Sequence, residues 1–279
     1  MGEKFFHVIN VGTSILRNFE RSQEYGSIVK KYGLTNWGEL KPDAPEQKII
    51  EGFIIANHEV HKSLLEFVKK DPYLASAELN SFLKYIAVHK HGKDDTEIAV
   101  YCTDTHNNRL AAQIIYEYLR EEGFSIVGEP IKVKDFGVGI EEFHSGLVNL
   151  LEKVLRIIIN KSKQGYKIYI NATAGYKPEV TFMALAAMLT LKVAPKIYYI
   201  HEAFKENVEL PALPLKIDEK YLDIAKMFME PKPMHEAEET LKKYRFRLDD
   251  LLNSQILSSN EGLIQTKEWL RKIIQLYEA

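Results

Sequence analysis

The sequence predicts an α/β protein: a doubly wound, mostly parallel sheet followed by a smaller, mainly helical C-terminal domain. Three observations predict it. Short β-branched or aromatic runs alternate with stretches of helical periodicity from residue 5 to about residue 201. Three of those runs end in a short polar turn before the next helix, as strands do when crossovers return them to one sheet in the same direction. At Pro211 and Pro214 the texture changes to short helices. The expected domains are residues 1–210 and 215–279.

Taken in order, Phe5 to Val11 reads as the first strand and Gly12 to Asn18 as its polar turn. Phe19 to Lys31 has a mixed, helix-compatible pattern. Thr35 to Pro45, with Trp37, Gly38, Pro42 and Pro45, reads as a loop. Gln47 to Lys69 carries apolar residues at helical spacing and reads as one helix, ended by Asp71-Pro72. Ala75 to Val88 is a second helix, with Leu79, Phe82, Leu83 and Ile86 on one face. Glu97 to Cys102 is the next strand, Thr103 to Asn108 its turn, and Arg109 opens a helix to Leu119.

Phe124 to Lys134 reads as a further strand, Phe136 to Ile140 as a loop and Ile140 to Asn160 as a helix. Ile168 to Asn171 is a buried strand and Asn171 to Lys177 its polar glycine turn. Pro178 and the Ala/Leu/Met-rich run Val180 to Thr190 begin a helix, where the missing proline N–H costs nothing. Ala194 to His201 is the following strand. Beyond the linker, Tyr221–Met229, Met234–Tyr244 and Leu248–Asn253 read as helices, Ile256 to Gln265 as a hairpin and Thr266 to Tyr277 as a last helix. Helices followed by a hairpin resemble a winged helix-turn-helix. A helical dimerisation or lid module is the alternative.

Composition excludes several classes. The chain has 279 residues and a net charge of -2, so no global basic field recruits a polynucleotide. From residue 215 onward 11 Lys/Arg stand against 12 Asp/Glu, which leaves no electrostatic footprint for DNA, and DNA binding is not favoured. The single cysteine, Cys102, excludes a disulfide framework and a cysteine-built metal site. His58 and His61, and His89 and His91, form no zinc motif with a third ligand, so neither a metal nor a cofactor is expected. No stretch is long and apolar enough to span a bilayer and no signal pattern is visible, so a cytoplasmic protein without membrane contact is expected.

In such a sheet, ligands bind beyond the carboxyl ends of the strands, so all three polar turns are expected on one rim. There is no G-x-G-x-x-G, no G-x-x-x-x-G-K-[ST] and no G-x-S-x-G, which removes the dinucleotide, P-loop and hydrolase readings. The strongest stretch is Ile168 to Glu179: strand, glycine turn, lysine, helix. A lysine at a helix start opposes the helix dipole at a cost of about a few tenths of a kcal/mol, which a bound phosphate would reverse. Ser14 serves either as a turn serine capping a helix or as a hydroxyl that holds a phosphate. His106 sits in the middle turn, where solvated loop histidine is the plainer reading. Asp104 either binds a ribose hydroxyl or caps the following helix.

Val11-Gly-Thr-Ser-Ile-Leu16 taken with Asn171-Ala-Thr-Ala-Gly-Tyr-Lys-Pro-Glu179 resembles the CRISPR-associated Rossmann-fold (CARF) family. Thr103-Asp-Thr with Asn108 to Ala112, and Gly139 to Phe143 leading into Gly146 to Leu150, fit the same pattern. The resemblance covers roughly residues 4–205 and implies a Rossmann-like sheet. It also implies a homodimer that binds a cyclic oligoadenylate, usually cyclic tetra-adenylate, across its two-fold axis.

No Arg is followed by four to six residues and then a His, the mark of the ribonuclease domain that often accompanies this family, and no other nuclease domain is evident. Two classes remain: a ring nuclease that cleaves the cyclic ligand, and a ligand-gated transcription regulator. The first is expected. By resemblance, Ser14 and Lys177 are the catalytic pair of a metal-independent cleavage in which the ligand's 2′-hydroxyl attacks the adjacent phosphorus. That step leaves linear di-adenylate with a 2′,3′-cyclic phosphate. Backbone N–H groups around Gly12 and Gly175 are expected on the phosphate. The expected ligand contacts are Gly12, Thr13, Arg17 and Asn18 in the first turn, Thr103, Asp104 and Thr105 in the second, and Asn171, Thr173, Ala174, Gly175 and Tyr176 in the third.

Overall fold

A computed structural model describes residues 2–135, 140–175, 177–190, 193, 195–201, 205–211, 213 and 215–278. The chain divides into two compact units, residues 1–213 and 214–279.

The first unit opens with β1 (Lys4–Asn10), fully buried beyond its first residue. Six α-helices follow before the chain returns to the sheet: α1 (Ser14–Arg21), α2 (Gly26–Lys30), α3 (Glu46–Phe53), α4 (Glu59–Lys70), α5 (Pro72–Ala75) and α6 (Ala77–His89), with a 3-10 turn at Trp37–Glu39 inside the expected loop. Gln47 to Lys69, expected as one helix, is two. The break at Ile54–His58 is set by His58, whose extended backbone and ring Nδ1 cap the Val60 N–H at 3.2 Å. Asp71 and Ser76 cap the next two helices through Leu74 and Leu79.

The sheet resumes with β2 (Thr96–Thr103), α7 (His106–Glu121), β3 (Ser125–Ile126) and β4 (Ile131–Val133). Phe124 to Lys134, expected as one strand, is these two fragments, both parallel to β2. Gly128 with φ +60° and Pro130, which has no N–H to give a ladder, interrupt it. Then come α8 (Ile140–Lys163), β5 (Tyr166–Asn171), α9 (Lys177–Leu189), β6 (Lys196–Ile200) and β7 (Asn207–Leu210). The loop expected over Phe136 to Gly139 lies outside the described residues.

The strand order is β3-β2-β1-β5-β6-β7, with β4 also beside β2. Every pairing is parallel except β6 with β7. The expected doubly wound, mostly parallel sheet is what the chain forms. The antiparallel β7 edge was not expected: Asn207-Val-Glu-Leu is short and half polar. It is held by Asn207, whose amide bonds the Ser81 carbonyl of α6 at 2.8 Å.

The main core joins β1 and β2 to the helical segment between them. Ile9, Ile15, Phe19, Trp37, Phe53, Leu64 and Phe82 pack with Leu110 and Ile114 of α7. Trp37 is locked by its indole N–H on the Leu16 carbonyl at 2.8 Å. A second cluster, Phe5, Tyr85, Tyr169 and Tyr198, surrounds the buried His7.

The second unit runs α10 (Glu219–Met227), β8 (Lys232–Pro233), α11 (Met234–Lys243), α12 (Leu248–Asn253), β9 (Leu257–Asn260), β10 (Leu263–Thr266) and α13 (Glu268–Glu278). Its sheet order is β8-β10-β9, all antiparallel. Helix, short strand, two helices and a hairpin whose return strand lies central is the connectivity of a winged helix. Its core is Ile224, Phe228, Leu241, Leu251, Leu257 and Ile264.

Candidate functional site

The site begins with topology. From β1 the chain moves to β2 on one side of the sheet, and from β5 to β6 on the other. The crevice beyond the carboxyl ends of β1 and β5 is therefore the switch point, where open α/β sheets bind ligands. The turns after β1 and β5 meet there. A Cβ on Gly12 would lie 2.8 Å from the Gly175 amide nitrogen. Gly175 holds φ +113°, a region L side chains rarely enter, and a Cβ on it would strike the Asn10 side-chain amide. That amide donates to the Ala174 carbonyl at 3.5 Å and to Glu179 at 3.2 Å, tying β1 to the start of α9.

The β2 turn joins the same rim through Asn108. Its Oδ1 accepts the Thr103 N–H and its amide donates to the Val11 carbonyl, both at 2.8 Å. β2, β1 and β5 are neighbours in the sheet, so the three polar turns stand side by side.

One group at the centre comes from outside all three turns. Glu78, in the first turn of α6, is fully buried. Its Oε1 accepts the Gly12 N–H at 2.6 Å. Its Oε2 accepts the hydroxyls of Ser14 and Ser76, both at 2.7 Å. Asn171 at the end of β5 donates to the Glu78 carbonyl at 3.0 Å. A buried carboxylate is tolerated only with such donors, and charge-assisted bonds of this kind are the strong ones. Glu78 thus takes the hydrogen-bond donors of the first turn that sequence reasoning reserved for a phosphate. The signal for it was present: Glu78 stands four and eight positions before Phe82 and Ile86, a carboxylate on the apolar stripe of a helix.

The expected site residues fall into groups. Ser14 is the first residue of α1 and does not cap that helix. Its hydroxyl oxygen accepts the Ala77 N–H at 3.1 Å while donating to Glu78. Thr13 donates to the Gly38 carbonyl at 2.6 Å, and Asn18 donates to the carbonyls of Leu74 and Ala75, so both brace the first turn against the helical segment. Arg17 is exposed and lies 3.8 Å from Glu39. Thr103 and Thr105 join hydroxyls at 3.1 Å, and Asp104 accepts the Asp135 N–H at 2.9 Å. Asn171 accepts the Thr173 N–H, and the Thr173 hydroxyl oxygen accepts the Ile200 N–H, binding the third turn to β6. Tyr176 lies outside the described residues. Lys177 is the first residue of α9 and exposed, one position before the Pro178 at which the helix was expected to begin, and its ammonium has no ion pair among the described residues.

Two other features bear on chemistry. Cys102, next to last in β2, is buried, and burial with the nearby Glu179 charge pushes its thiol up to about 12. His7 bonds Tyr198 through Nδ1 at 3.0 Å and His91 through Nε2 at 3.1 Å. Burial holds His7 well below the usual histidine range, and burial with the charges of His89 and Lys196 brings His91 to about 4. Among the described residues no group of three or more His, Cys, Asp or Glu is arranged to hold a metal ion. Among them, too, no helix is long and apolar enough to cross a membrane.

Residues 73–213, just over half of the chain, match the family model described as "CRISPR-associated protein (Cas_APE2256)". The matched segment includes Glu78 and the turns after β2 and β5; the β1 turn precedes it. Among solved structures the chain is similar to protein VC1899 from Vibrio cholerae, at 11% identity and a TM-score of 0.33. That match covers 70% of this chain, which spans 63% of the length of the other.

Proposed function

Because the chain belongs to the CRISPR-associated Cas_APE2256 family, we propose that it is a ring nuclease: a homodimer that binds cyclic tetra-adenylate and opens it without metal. The observation that carries this reading is the close backbone approach of Gly12 to Gly175 at the switch point, with Lys177, whose ammonium has no ion pair among the described residues, two residues further on. Phosphate chemistry calls for that combination: close backbone approach, a helix N-terminus and a cation.

In the proposed reaction the 2′-hydroxyl of one adenylate attacks the adjacent phosphorus in line and expels the 5′-oxygen. The products are linear di-adenylate ending in 2′,3′-cyclic phosphates. The protein supplies position and charge. Lys177 neutralises the charge that grows on the phosphorane oxygens, and the turn at Gly175 lets the phosphate approach the backbone. Thr103, Asp104 and Thr105 are the proposed contacts to ribose and adenine. Two copies of the site across a two-fold axis suit a ring with two scissile bonds.

The winged-helix connectivity of the second unit favours one other reading, a ligand-gated transcription regulator. Against it, α12, the helix that precedes the hairpin and would enter the major groove, carries Asp249 and Asp250 and no Lys or Arg. Incubating the protein with cyclic tetra-adenylate in EDTA tests both. Linear di-adenylate is the expected product. An intact ring despite tight binding, with a salt-sensitive, ligand-dependent shift of duplex DNA, would replace the enzyme with the regulator.

A further inference from the structure

The hydroxyl of Ser14 has no proton to offer a ligand. It gives that proton to Glu78 Oε2 at 2.7 Å and accepts the Ala77 N–H at 3.1 Å. A hydroxyl has one hydrogen and two lone pairs, so one acceptor position is left. Gly12 is committed in the same way, its N–H held by Glu78 Oε1 at 2.6 Å. Ser76 supplies a third donor, and Glu78 itself is wholly buried. The first turn therefore meets a ligand as an acceptor, its donors already engaged by the buried Glu78 carboxyl oxygens. An electronegative acceptor repels a nonbridging phosphate oxygen and attracts a hydroxyl proton.

We propose that Glu78 is a positioning residue of the site that acts through Ser14, holding its hydroxyl as the acceptor for the ligand's 2′-hydroxyl proton. The inference rests on the ring-cleavage reading above. As the 2′-oxygen attacks phosphorus, its O–H bond breaks and the proton passes to Ser14 Oγ. The original Ser14 O–H bond breaks in turn, and that proton passes to Glu78 Oε2. The electron pair freed on the 2′-oxygen forms the new P–O bond. The P–O5′ bond breaks, and the 5′-oxygen leaves with its electron pair and takes a proton from water. Glu78 afterwards returns its proton through Ser14 to the hydroxide left by that water, so no metal, oxidant or co-reactant is consumed. Ser14 and Lys177 then have opposite tasks: one receives a proton from the nucleophile, the other offsets charge at phosphorus.

The test compares wild type with Glu78→Gln by equilibrium binding and single-turnover cleavage of cyclic tetra-adenylate. The expected result is binding within about threefold of wild type and cleavage slowed about 100-fold or more, the scale of a lost acid–base group. Glutamine keeps the shape and one acceptor oxygen but cannot take a proton from Ser14. A Glu78→Gln protein that cleaves at the wild-type rate would overturn the proposal alone.

Should that variant not fold, a proton inventory on the wild-type protein decides. Cleavage rates in H2O/D2O mixtures are expected to follow a bowed curve, since two protons move in one step, and a straight line overturns the relay. A wild-type protein that binds the ring and never opens it overturns the ring-nuclease reading, and this inference with it.

Discussion

The backbones of Gly12 and Gly175 touch: a Cβ on Gly12 would stand 2.8 Å from the Gly175 amide nitrogen and 3.3 Å from its Cα. Two turns more than 160 positions apart in the chain are thereby pressed together at the carboxyl ends of neighbouring strands. Neither position has room for a side chain, and that restriction can be measured.

Gly175→Ala is expected to destabilise the fold by about 1–3 kcal/mol, the usual cost of a strained backbone conformation. Its φ of +113° disfavours alanine, and the new methyl would displace the Asn10 amide from Ala174 and Glu179. Urea denaturation reads the loss. An unchanged midpoint would mean that the turn relaxes freely and that the contact with Gly12 is not tight.

Lys177→Ala is expected to leave that midpoint alone, because the side chain is exposed and has no ion pair among the described residues. The proposed ring cleavage should fall more than tenfold, since a donor that meets developing charge is worth about 2.7–4 kcal/mol. Equal single-turnover rates would place Lys177 away from the reacting phosphate.

Acid should weaken the fold through His7 and His91. Both are held below the ordinary histidine value of 6.5, His91 at about 4. Between those values the unfolded chain binds protons that the folded chain refuses, so stability falls as pH falls through that window and is regained above it. The thermal midpoint is expected to drop from pH 7 toward pH 4, and His91→Gln should flatten the part of the slope above pH 5. An identical slope in that variant would assign the effect to other groups.

Cys102 should be inert in the native protein. Its thiol is buried and pushed up to about 12, so almost no thiolate exists at neutral pH. Iodoacetamide at pH 8 is expected to modify it only after denaturation, as mass spectrometry would show. Rapid labelling of the folded protein would mean that the end of β2 opens to solvent.

The order of strands, turns and helices was legible because each signal is local. Phe5 to Val11, Glu97 to Cys102 and Ile168 to Asn171 are apolar runs; Gly12 and Thr103 stand where the first two stop, and Gly175 sits in the turn four positions past Asn171. Local signals blurred where one residue outweighs a pattern, as with His58 splitting a helix and Gly128 splitting a strand.

The sequence by itself determined the doubly wound architecture and the residues that form the rim, since hydrophobic period and turn chemistry act over a few neighbouring positions. Only the tertiary structure decided what those residues bond to. Ser14 faces Glu78, a partner 64 residues away, because α6 brings its first turn against the end of β1. A hydrogen bond across the fold depends on where packing delivers each group, and no local pattern carries that coordinate.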